Sequence, residues 1–376
     1  MLYQHVHRFM RIFVCCAMLI MLVLPNFASA DNFWSWDEDG KEDDTITEAI
    51  PSYWLEELQK GAQEINTALM EVGWNKSAFL FYTDSHWNYN SQQSPLLLKY
   101  LYDHTGINRT IFGGDIVTNE GSDYETMSYL WDWRNKIRQL PNHHSVVGNH
   151  DDGNTTNHLF DEDYVYGYLL APEETPDIVR GEKGLYYYID SPSEKTRYLF
   201  LDTAFQEIYF YPDQVQFLID SLSSVAENWH IVVIAHRWYD VDYSNEYAAD
   251  YSLSYVGKLV LNVLDAYNQR QSGVVRSRMN LTDNAVSNIP YNFKDCKGKV
   301  EFCIGGHIHR DFDGSSNAGI PVILVETDSY NTRSGLNKDS ETINESSVNG
   351  IIADYDARKV MIIRVGRGES RVVPLK

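Results

Sequence analysis

The chain has 376 residues, of which 43% are hydrophobic and 13% are aromatic, and its formal net charge at pH 7 is -22. This length and composition exclude a disordered or fibrous protein and predict one large globular domain or two modest ones. The strong negative charge argues against nucleic-acid binding through a basic face.

The first thirty residues differ from the rest of the chain. Arg8 and Arg11 flank the start of an apolar run from Ile12 to Leu24, no acidic residue is present, and the segment ends in Ala28-Ser29-Ala30. This pattern predicts a cleaved signal peptide, residues 1–30. A transmembrane anchor is the alternative, but the apolar run is short for a bilayer crossing. We therefore expect a secreted or otherwise extracytoplasmic protein, periplasmic or at the cell surface, with no membrane span after cleavage.

Residues 31–75 are predicted to form an acidic leader and an N-terminal helix. The leader, from Asp31 to Thr47, is rich in acids and has no clear period. Apolar residues then recur at helical spacing and predict an amphipathic helix that ends near Gly73. These residues are Trp54, Leu55, Leu58, Ala62, Ile65 and Leu69.

Beyond this helix, short apolar runs alternate with helical patterns up to the end of the chain. The runs that predict buried strands are Ala78 to Tyr82, Thr110 to Phe112, Ser145 to Val147, Ile231 to Ile234 and Val300 to Ile304. The helical patterns are Ser94 to His104, Tyr124 to Gln139, Asp213 to Glu227 and Tyr255 to Gln269. We see no internal repeat and no low-complexity linker, so residues 76–376 are predicted to be one domain.

Two further pairs of runs resemble hairpins. One pair flanks Ser191-Pro192-Ser193 and the other flanks Asp356-Ala357. Hairpins place antiparallel strands beside the parallel ones that the alternation predicts. The predicted fold class is therefore α/β, with two packed mixed β-sheets flanked by helices.

Two cysteines, Cys296 and Cys303, remain after the predicted cleavage. In an oxidising compartment they could close a small disulfide loop. Cys303 also fits as a small apolar residue of a strand, so the sequence leaves both possibilities open. Neither cysteine has the surroundings of a nucleophile.

Each of the five predicted strands ends in a polar cluster. The clusters are Asp84-Ser85-His86, Gly114-Asp115, Gly148-Asn149-His150-Asp151, Ala235-His236 and Gly305-Gly306-His307-Ile308-His309. Ligands bind at the carboxyl ends of strands in α/β sheets, so these clusters can converge. The Asp-x-His and Gly-Asn-His-Asp clusters alone read more readily as turns, whereas Gly-His-x-His is a stronger signal because alternate strand residues face the same side. All five in sequence are hard to explain as coincidence.

The residue types suit a two-metal hydrolase. Hydrolysis of a phosphate ester needs a strong nucleophile at neutral pH and neutralisation of negative oxygens, and two cations about 3.5 to 4 Å apart supply both. In so acidic a protein, metal ions are also the obvious source of local positive charge for a phosphate. Imidazole, carboxylate and amide ligands together favour manganese, iron or zinc over calcium. The absence of cysteine ligands argues against a structural zinc site.

In these ordered motifs the sequence resembles the calcineurin-like metallophosphoesterase family, over about residues 78–327. The resemblance implies a catalytic domain of this family at residues 76–376, with an α/β/β/α sandwich fold and two divalent metal ions. Asp84, His86 and His309 would bind the first metal, Asn149, His236 and His307 the second, and Asp115 would bridge the two.

The resemblance also implies roles for two residues that follow Asn149. His150 would contact the substrate phosphate and protonate the leaving oxygen, and Asp151 would orient His150 by a hydrogen bond. A neighbouring carboxylate raises the pKa of a histidine, which suits a proton donor near neutral pH. The implied activity is hydrolysis of a phosphomonoester or phosphodiester outside the cytoplasm, by attack of a hydroxide that bridges the two metals.

One position departs from a branch of the same superfamily. Purple acid phosphatases carry a tyrosine three residues after the bridging aspartate, and here that position is Thr118. A tyrosinate-bound iron centre is therefore disfavoured. The partner that we expect is a small phosphorylated substrate of unspecified identity, and the sequence does not indicate an oligomeric state. The alternative function is a non-catalytic metal-binding protein of the same fold that binds a partner or a surface glycan.

Overall fold

A computed structural model describes most of the chain downstream of the leader. The described residues are 50–87, 90–118, 122–151, 153–154, 158–159, 162–171, 175–181, 184–204, 210–242, 250–278, 286–329 and 340–376. The predicted signal peptide and acidic leader lie outside these ranges and stay predictions. Within the described ranges, no helix has the length and apolar content that a membrane crossing requires.

The helices predicted from the apolar spacing are all present. In chain order the α-helices are α1 (Ser52–Glu71), α2 (Ser94–His104), α3 (Asp123–Ile137), α4 (Glu162–Val165), α5 (Pro212–Ser223) and α6 (Tyr255–Asn268). Helix α4, which the sequence did not predict, continues into a π-helical turn at Tyr166–Leu170. Ser122 caps α3 with a capping box, because its hydroxyl accepts from the amide of Glu125 while the Glu125 side chain accepts from Ser122.

The strands account for both large sheets and several short ribbons. In chain order they are β1 (Lys76–Tyr82), β2 (Thr110–Phe112), β3 (His143–Ser145), β4 (Gly153–Asn154), β5 (His158–Leu159), β6 (Val179–Arg180), β7 (Tyr187–Ser191), β8 (Thr196–Leu201), β9 (His230–Ala235), β10 (Tyr239–Asp242), β11 (Asp250–Leu253), β12 (Ser272–Arg278), β13 (Val286–Asn292), β14 (Lys299–Gly305), β15 (Phe312–Ser315), β16 (Pro321–Leu324), β17 (Ser347–Asp354), β18 (Lys359–Gly366) and β19 (Arg371–Pro374). Both predicted hairpins are present, as β7 with β8 and as β17 with β18.

One predicted strand was placed two residues too late. The run from Ser145 to Val147 is buried, but the strand is β3, which begins at His143. A run of apolar residues indicates that a segment is buried, but not which of its residues pair with a neighbouring strand. The two histidines of β3 are buried, and each has a polar partner. His143 Nε2 lies 2.9 Å from the hydroxyl of Tyr82, and His144 Nε2 lies 3.0 Å from Oδ1 of Asn142.

Both large sheets are mixed. The first sheet has the order β19-β18-β17-β1-β2-β3, with β1, β2 and β3 parallel to one another and the other neighbours antiparallel. The second sheet has the order β15-β16-β14-β9-β8-β7-β6, in which β16, β14, β9 and β8 are parallel. The predicted combination of parallel strands and hairpins is therefore confirmed.

Alternating side chains of the second sheet pack into two different hydrophobic cores. In β9, Val232 and Ile234 belong to a core shared with the first sheet and helices α1 to α3. Ile231 and Val233 belong to a core shared with α5 and α6. This alternation follows from the two-residue period of a strand. The layers are thus helices, sheet, sheet and helices, which is the predicted α/β/β/α sandwich, and α1 lies in the same core as the strands that follow it.

The parallel strands of both sheets end at the same edge of the sandwich. Between the sheets, the amide of His307, after β14, donates to Oδ1 of Asp84, after β1, at 3.0 Å. Within the first sheet, the amide of Asp84 donates to the carbonyl of Gly114, after β2, at 2.9 Å. In the second sheet the amide of Gly306, after β14, donates to the carbonyl of His236, after β9, at 3.1 Å. The polar clusters that follow these strands are therefore brought to one place.

Candidate metal centre

The candidate centre consists of two adjacent clusters of ligand atoms. In one cluster, ligand atoms of Asp84, His86, Asp115 and His309 lie within 4.8 Å of one another. In the other, ligand atoms of Asp115, His236 and His307 meet the same limit. Only Asp115 belongs to both clusters. We call the first cluster site 1 and the second site 2, and six of the seven predicted metal ligands lie in them.

Side chains of site 1 face one another at short distances. His86 Nε2 lies 2.9 Å from His309 Nε2, and His309 Nε2 lies 3.3 Å from Oδ1 of Asp84. All three residues are at most 3% exposed. Three such groups aimed at one point, away from water, are arranged as ligands of a cation rather than as ordinary hydrogen-bond partners.

Site 2 shares the bridging carboxylate. His236 Nε2 lies 3.1 Å from Oδ2 of Asp115, and the amide of His150 donates to Oδ1 of Asp115 at 2.8 Å. This hydrogen bond from the His150 amide holds the loop of Asn149 against Asp115. Asn149, the seventh predicted ligand, directly precedes His150 in this loop, and its Oδ1 atom is buried.

Three atoms of the predicted ligands are buried and make no hydrogen bond of good geometry: Oδ2 of Asp115 and Nε2 of His236, which lie 3.1 Å apart, and Oδ1 of Asn149. Buried polar atoms almost always form a hydrogen bond in native proteins, so each of these three atoms requires an explanation. A cation at this position would satisfy all three. The donor set of carboxylates, imidazoles and an amide oxygen fits a divalent transition metal, so the residues fit the predicted dinuclear centre.

Backbone carbonyl groups orient two of the imidazoles. Nδ1 of His86 lies 3.1 Å from the carbonyl oxygen of Val117, and Nδ1 of His236 lies 2.7 Å from that of Gly113. A hydrogen bond from Nδ1 fixes the tautomer whose Nε2 lone pair is free to bind a metal. The sequence could not identify these carbonyls, because any residue type supplies one.

The centre is also a region of unusual backbone conformation. Five of the proposed ligands have positive φ, which side chains other than glycine rarely adopt. The φ values are 55° for Asp84, 43° for His86, 60° for Asp115, 74° for His307 and 54° for His309. Such conformations cost free energy and persist where the surrounding structure imposes them, commonly at functional sites.

Two glycines of the motifs are required by close packing. A Cβ atom on Gly148 would lie 2.1 Å from Oδ1 of Asp115, and one on Gly306 would lie 2.1 Å from Oδ2 of Asp84. Real Cβ atoms do not approach other atoms so closely. The two glycines therefore leave the space that the two carboxylates occupy.

The buried groups of the centre influence one another's charge. Burial opposes ionisation of Asp84, but the neighbouring imidazoles, His236 first, lower the pKa of Asp84 to about 2. Burial also opposes protonation of His236, yet the charges of Asp115 and Asp84 raise its pKa to about 9. For His86, burial and the charge of the adjacent imidazole together lower the pKa to about 3. The centre thus holds ionised carboxylates, a neutral His86 and a protonated His236 at neutral pH, and a metal ion that binds His236 would displace its proton.

His150 stands at the mouth of the centre rather than in it. Its side chain is 31% exposed, and its Nε2 lies 3.9 Å from Oδ2 of Asp115. Its Nδ1 lies 2.7 Å from the carbonyl oxygen of Thr118, so Nε2 points towards the centre. Burial opposes protonation of His150, but the charge of Asp115 and the Thr118 carbonyl raise its pKa.

The predicted role of Asp151 requires a correction. Its carboxylate is fully buried and accepts from the amides of Gly148 at 2.8 Å, Asp115 at 3.0 Å and Ile116 at 2.7 Å. The Thr118 carbonyl, rather than Asp151, orients His150. Asp151 instead ties the loop of the bridging aspartate to the loop of Asn149. The sequence argument placed it beside its chain neighbour, although adjacent residues of a turn point in different directions.

A further acid lies beside site 2. Oδ1 of Asp240 is 3.8 Å from Nε2 of His307 and accepts from Nε of Arg237 at 2.6 Å. Asp240 was not among the predicted site residues, because it follows no predicted strand end. Its carboxylate holds Arg237, which directly follows the ligand His236, at the edge of the centre.

Comparison with known proteins supports the fold. No protein-family model matches the chain, and no curated protein matches it. Among solved structures, the chain is similar to a dimetal phosphatase from Danio rerio, with a TM-score of 0.50 and 13% identity over 80% of this chain and 99% of that one. This likeness confirms the fold predicted from the motifs.

Two other solved structures match less well. A purple acid phosphatase from yellow lupin (Lupinus luteus) seeds gives a TM-score of 0.45 and 13% identity over 80% of this chain and 53% of that one. The protein GAP50, described as the anchor in the inner membrane complex of Plasmodium, gives 0.45 and 14% identity over 80% and 89%.

Proposed function

We propose that the protein is a metal-dependent phosphoesterase that hydrolyses small phosphate esters outside the cytoplasm. The observation that carries the proposal is the pair of ligand clusters that share Asp115 at the common edge of two sheets. Two divalent cations bound there would activate a water molecule as the nucleophile and neutralise the charge of the phosphate oxygens.

The residues of the chain supply the remaining requirements of the reaction. Asp84, His86 and His309 would hold one cation, Asn149, His236 and His307 the other, and Asp115 would contact both. His150 is placed to donate a proton to the leaving oxygen, since the Thr118 carbonyl turns its Nε2 towards the centre. Its partial exposure leaves room for a substrate beside it.

The location outside the cytoplasm rests on the signal-like pattern of residues 1–30. The two cysteines are separate thiols in the structure, with Cys303 buried and Cys296 partly exposed. A secreted location does not depend on a disulfide between them. Mass spectrometry of the secreted chain would test the location, since cleavage after Ala30 leaves Asp31 as the first residue.

The activity can be tested with the chain from Asp31 onward. Bound metal would be measured by elemental analysis, and turnover with p-nitrophenyl phosphate and bis-p-nitrophenyl phosphate. Asp115→Asn removes the bridging charge, and Asp220→Asn makes the same chemical change at an exposed position of α5. We expect about two metals per chain, loss of turnover in Asp115→Asn and normal turnover in Asp220→Asn.

The same assay separates the competing functions. The faster of the two esters distinguishes a monoesterase from a diesterase. Metal without turnover of either ester would contradict the proposed activity and favour the alternative of a metal-containing binding protein. A parent chain without metal would contradict the dinuclear centre itself.

A further inference from the structure

A buried polar segment lies behind site 1. It consists of Glu326, Thr327, Asp328 and Ser329, follows β16 and has no exposed side chain. Polar residues at this depth are stabilising only when they are hydrogen-bonded, so a run of four requires a reason. None of them belongs to the predicted ligand set.

The 326–329 segment is bonded to the loop that carries two ligands of site 1. The amide of Asp328 donates to the carbonyl of Thr83 at 2.8 Å. The hydroxyl of Thr327 donates to the carbonyl of Asp84 at 2.7 Å. The hydroxyl of Ser85 donates to Oδ2 of Asp328 at 2.9 Å. Three consecutive residues of the ligand loop are thus held by two residues of the segment.

Asp328 connects this loop to other parts of the fold. Its Oδ1 accepts from the hydroxyls of Ser94, at the start of α2, and Ser346, just before β17. The carboxylate therefore joins three separate elements through three serine hydroxyls. A carboxylate with several donors can fix the relative positions of those elements, which a single neutral hydrogen bond does less well.

The segment is itself braced by an arginine. Arg367 is 1% exposed, and its Nη2 donates to the carbonyls of Thr327 and Ser329, each at 2.6 Å. Its Nη1 donates to the carbonyl of Asn344 at 2.8 Å. A buried planar guanidinium with several fixed acceptors leaves the segment little freedom to move.

The start of the segment is bonded to a second ligand loop of site 1, the one that carries His309. The amide of Glu326 donates at 3.0 Å to Oδ1 of Asp311, which lies two residues after the ligand His309. The same oxygen accepts from Arg364 at 2.6 Å and from Arg371 at 2.7 Å. Two of the three loops that supply ligands to site 1 are therefore attached to the same segment.

We propose that Asp328 is a positioning residue for site 1, which holds the loop of Asp84 and His86 in its metal-binding geometry through Ser85. The proposal rests on the dinuclear centre of the proposed function. Asp84 and His86 both have positive φ and need such support, because a loop with positive φ at ligand positions relaxes when its anchors are removed. Loss of a partner that orients a ligand commonly weakens metal binding about 10- to 100-fold.

The test compares two serines that bond to the same carboxylate. Ser85→Ala removes the bond between Asp328 and the ligand loop, whereas Ser346→Ala removes a bond to the same carboxylate from another element. Both serines are fully buried, so the two changes match in chemistry and depth. Stepwise dissociation constants for Mn²⁺ would be measured by competition with a chromophoric chelator, with the melting temperature recorded for each variant.

Two further variants assign the constants. His309→Ala identifies the constant of site 1, and His307→Ala identifies that of site 2. We expect Ser85→Ala to raise the site 1 dissociation constant about 10- to 100-fold and to leave the site 2 constant within about 3-fold of the parent value. Ser346→Ala should lower the melting temperature with a smaller effect on either constant. Asp328→Asn, which keeps the shape of the side chain, should act in the same direction as Ser85→Ala.

The outcomes separate this inference from the proposed function. Parent-like Mn²⁺ constants in Ser85→Ala and Asp328→Asn would overturn the positioning role while the metal centre stands. Equal weakening of both sites by Ser85→Ala and Ser346→Ala would also overturn it, since that pattern indicates general destabilisation. A parent chain that binds two Mn²⁺ ions but hydrolyses no ester would contradict the activity and leave the constants to decide the role of Asp328.

Discussion

Gly148→Ala tests whether the shape of the metal centre depends on its glycines. The new Cβ would lie 2.1 Å from both the backbone nitrogen and Oδ1 of Asp115, whereas ordinary contact begins at 3.4 Å. Either the Asn149 loop or the backbone of Asp115, which carries the bridging carboxylate, must therefore move by about 1 Å. The hydrogen bond from the backbone amide of His150 to Oδ1 of Asp115 crosses the same space, so it would be strained as well.

The size of the effect follows from this displacement. Overpacking of a closely packed site costs about 1 to 3 kcal/mol of unfolding free energy. A misplacement of about 1 Å at a catalytic group can cost about 100-fold in rate. Because Asp115 belongs to both clusters, we expect both metal dissociation constants to rise and kcat for p-nitrophenyl phosphate to fall about 100-fold, although the fold is retained.

The control for this substitution is Gly167→Ala. A Cβ at Gly167 meets no atom within 4 Å, so the change adds the same methyl group without a clash. Urea unfolding, chelator competition and turnover would be compared for both variants. Parent-like metal affinity and turnover in Gly148→Ala would refute the argument, because the space between the glycine and Asp115 would then not be limiting.

Three further predictions concern protonation, proton donation and long-range charge. Burial lowers the pKa of His144 to about 3. Protonation of this residue in the unfolded chain should therefore cost about 1.4 kcal/mol of unfolding free energy per pH unit as the pH falls below about 6.5. His144→Phe should make this decline shallower in urea unfolding, and equal slopes for variant and parent would contradict the assignment. His150→Gln should keep both metals but lower kcat about 100-fold or more. The loss should be larger for phenyl phosphate than for p-nitrophenyl phosphate, because the p-nitrophenolate leaving group needs less protonation, and an equal loss would argue against His150 as the proton donor. The net charge of -22 should repel an anionic ester at long range, so kcat/KM should rise as salt increases from about 10 to about 150 mM, and a fall would mean that local attraction dominates the approach.

The sequence predicted the layers and the meeting of six of the seven proposed ligands because the information for both is local. A strand with a polar cluster at its carboxyl end is visible in about ten residues, and the order of five such clusters was enough to predict that Asp84 and His309 meet. Partners that are distant in the chain were not visible. Asp328 lies 243 residues from Ser85, and no local pattern distinguishes it from a surface aspartate in a turn.

Two errors of detail have the same physical origin. The predicted start of β3 was late because His143 and His144 are polar, yet both are buried, His143 against Tyr82 of β1 and His144 beside Asn142 of the preceding loop. The expected bond from Asp151 to His150 was replaced by bonds to backbone amides. His143 and Asp151 are bonded to groups of another strand or loop, which a local sequence pattern does not show.

The charge of the centre explains how an acidic protein could handle phosphate. The seven predicted ligands carry two negative charges, from Asp84 and Asp115, since the imidazoles must be neutral to bind metal. Two divalent cations would therefore leave the centre with a net charge of about +2. At physiological salt, the charges of acidic residues more than about 8 Å from a bound ester are largely screened. The ester therefore interacts more strongly with the charge of the centre than with that of the protein surface. The acidity of the chain and a phosphate-binding centre are thus compatible, provided that the metals are bound before the substrate arrives.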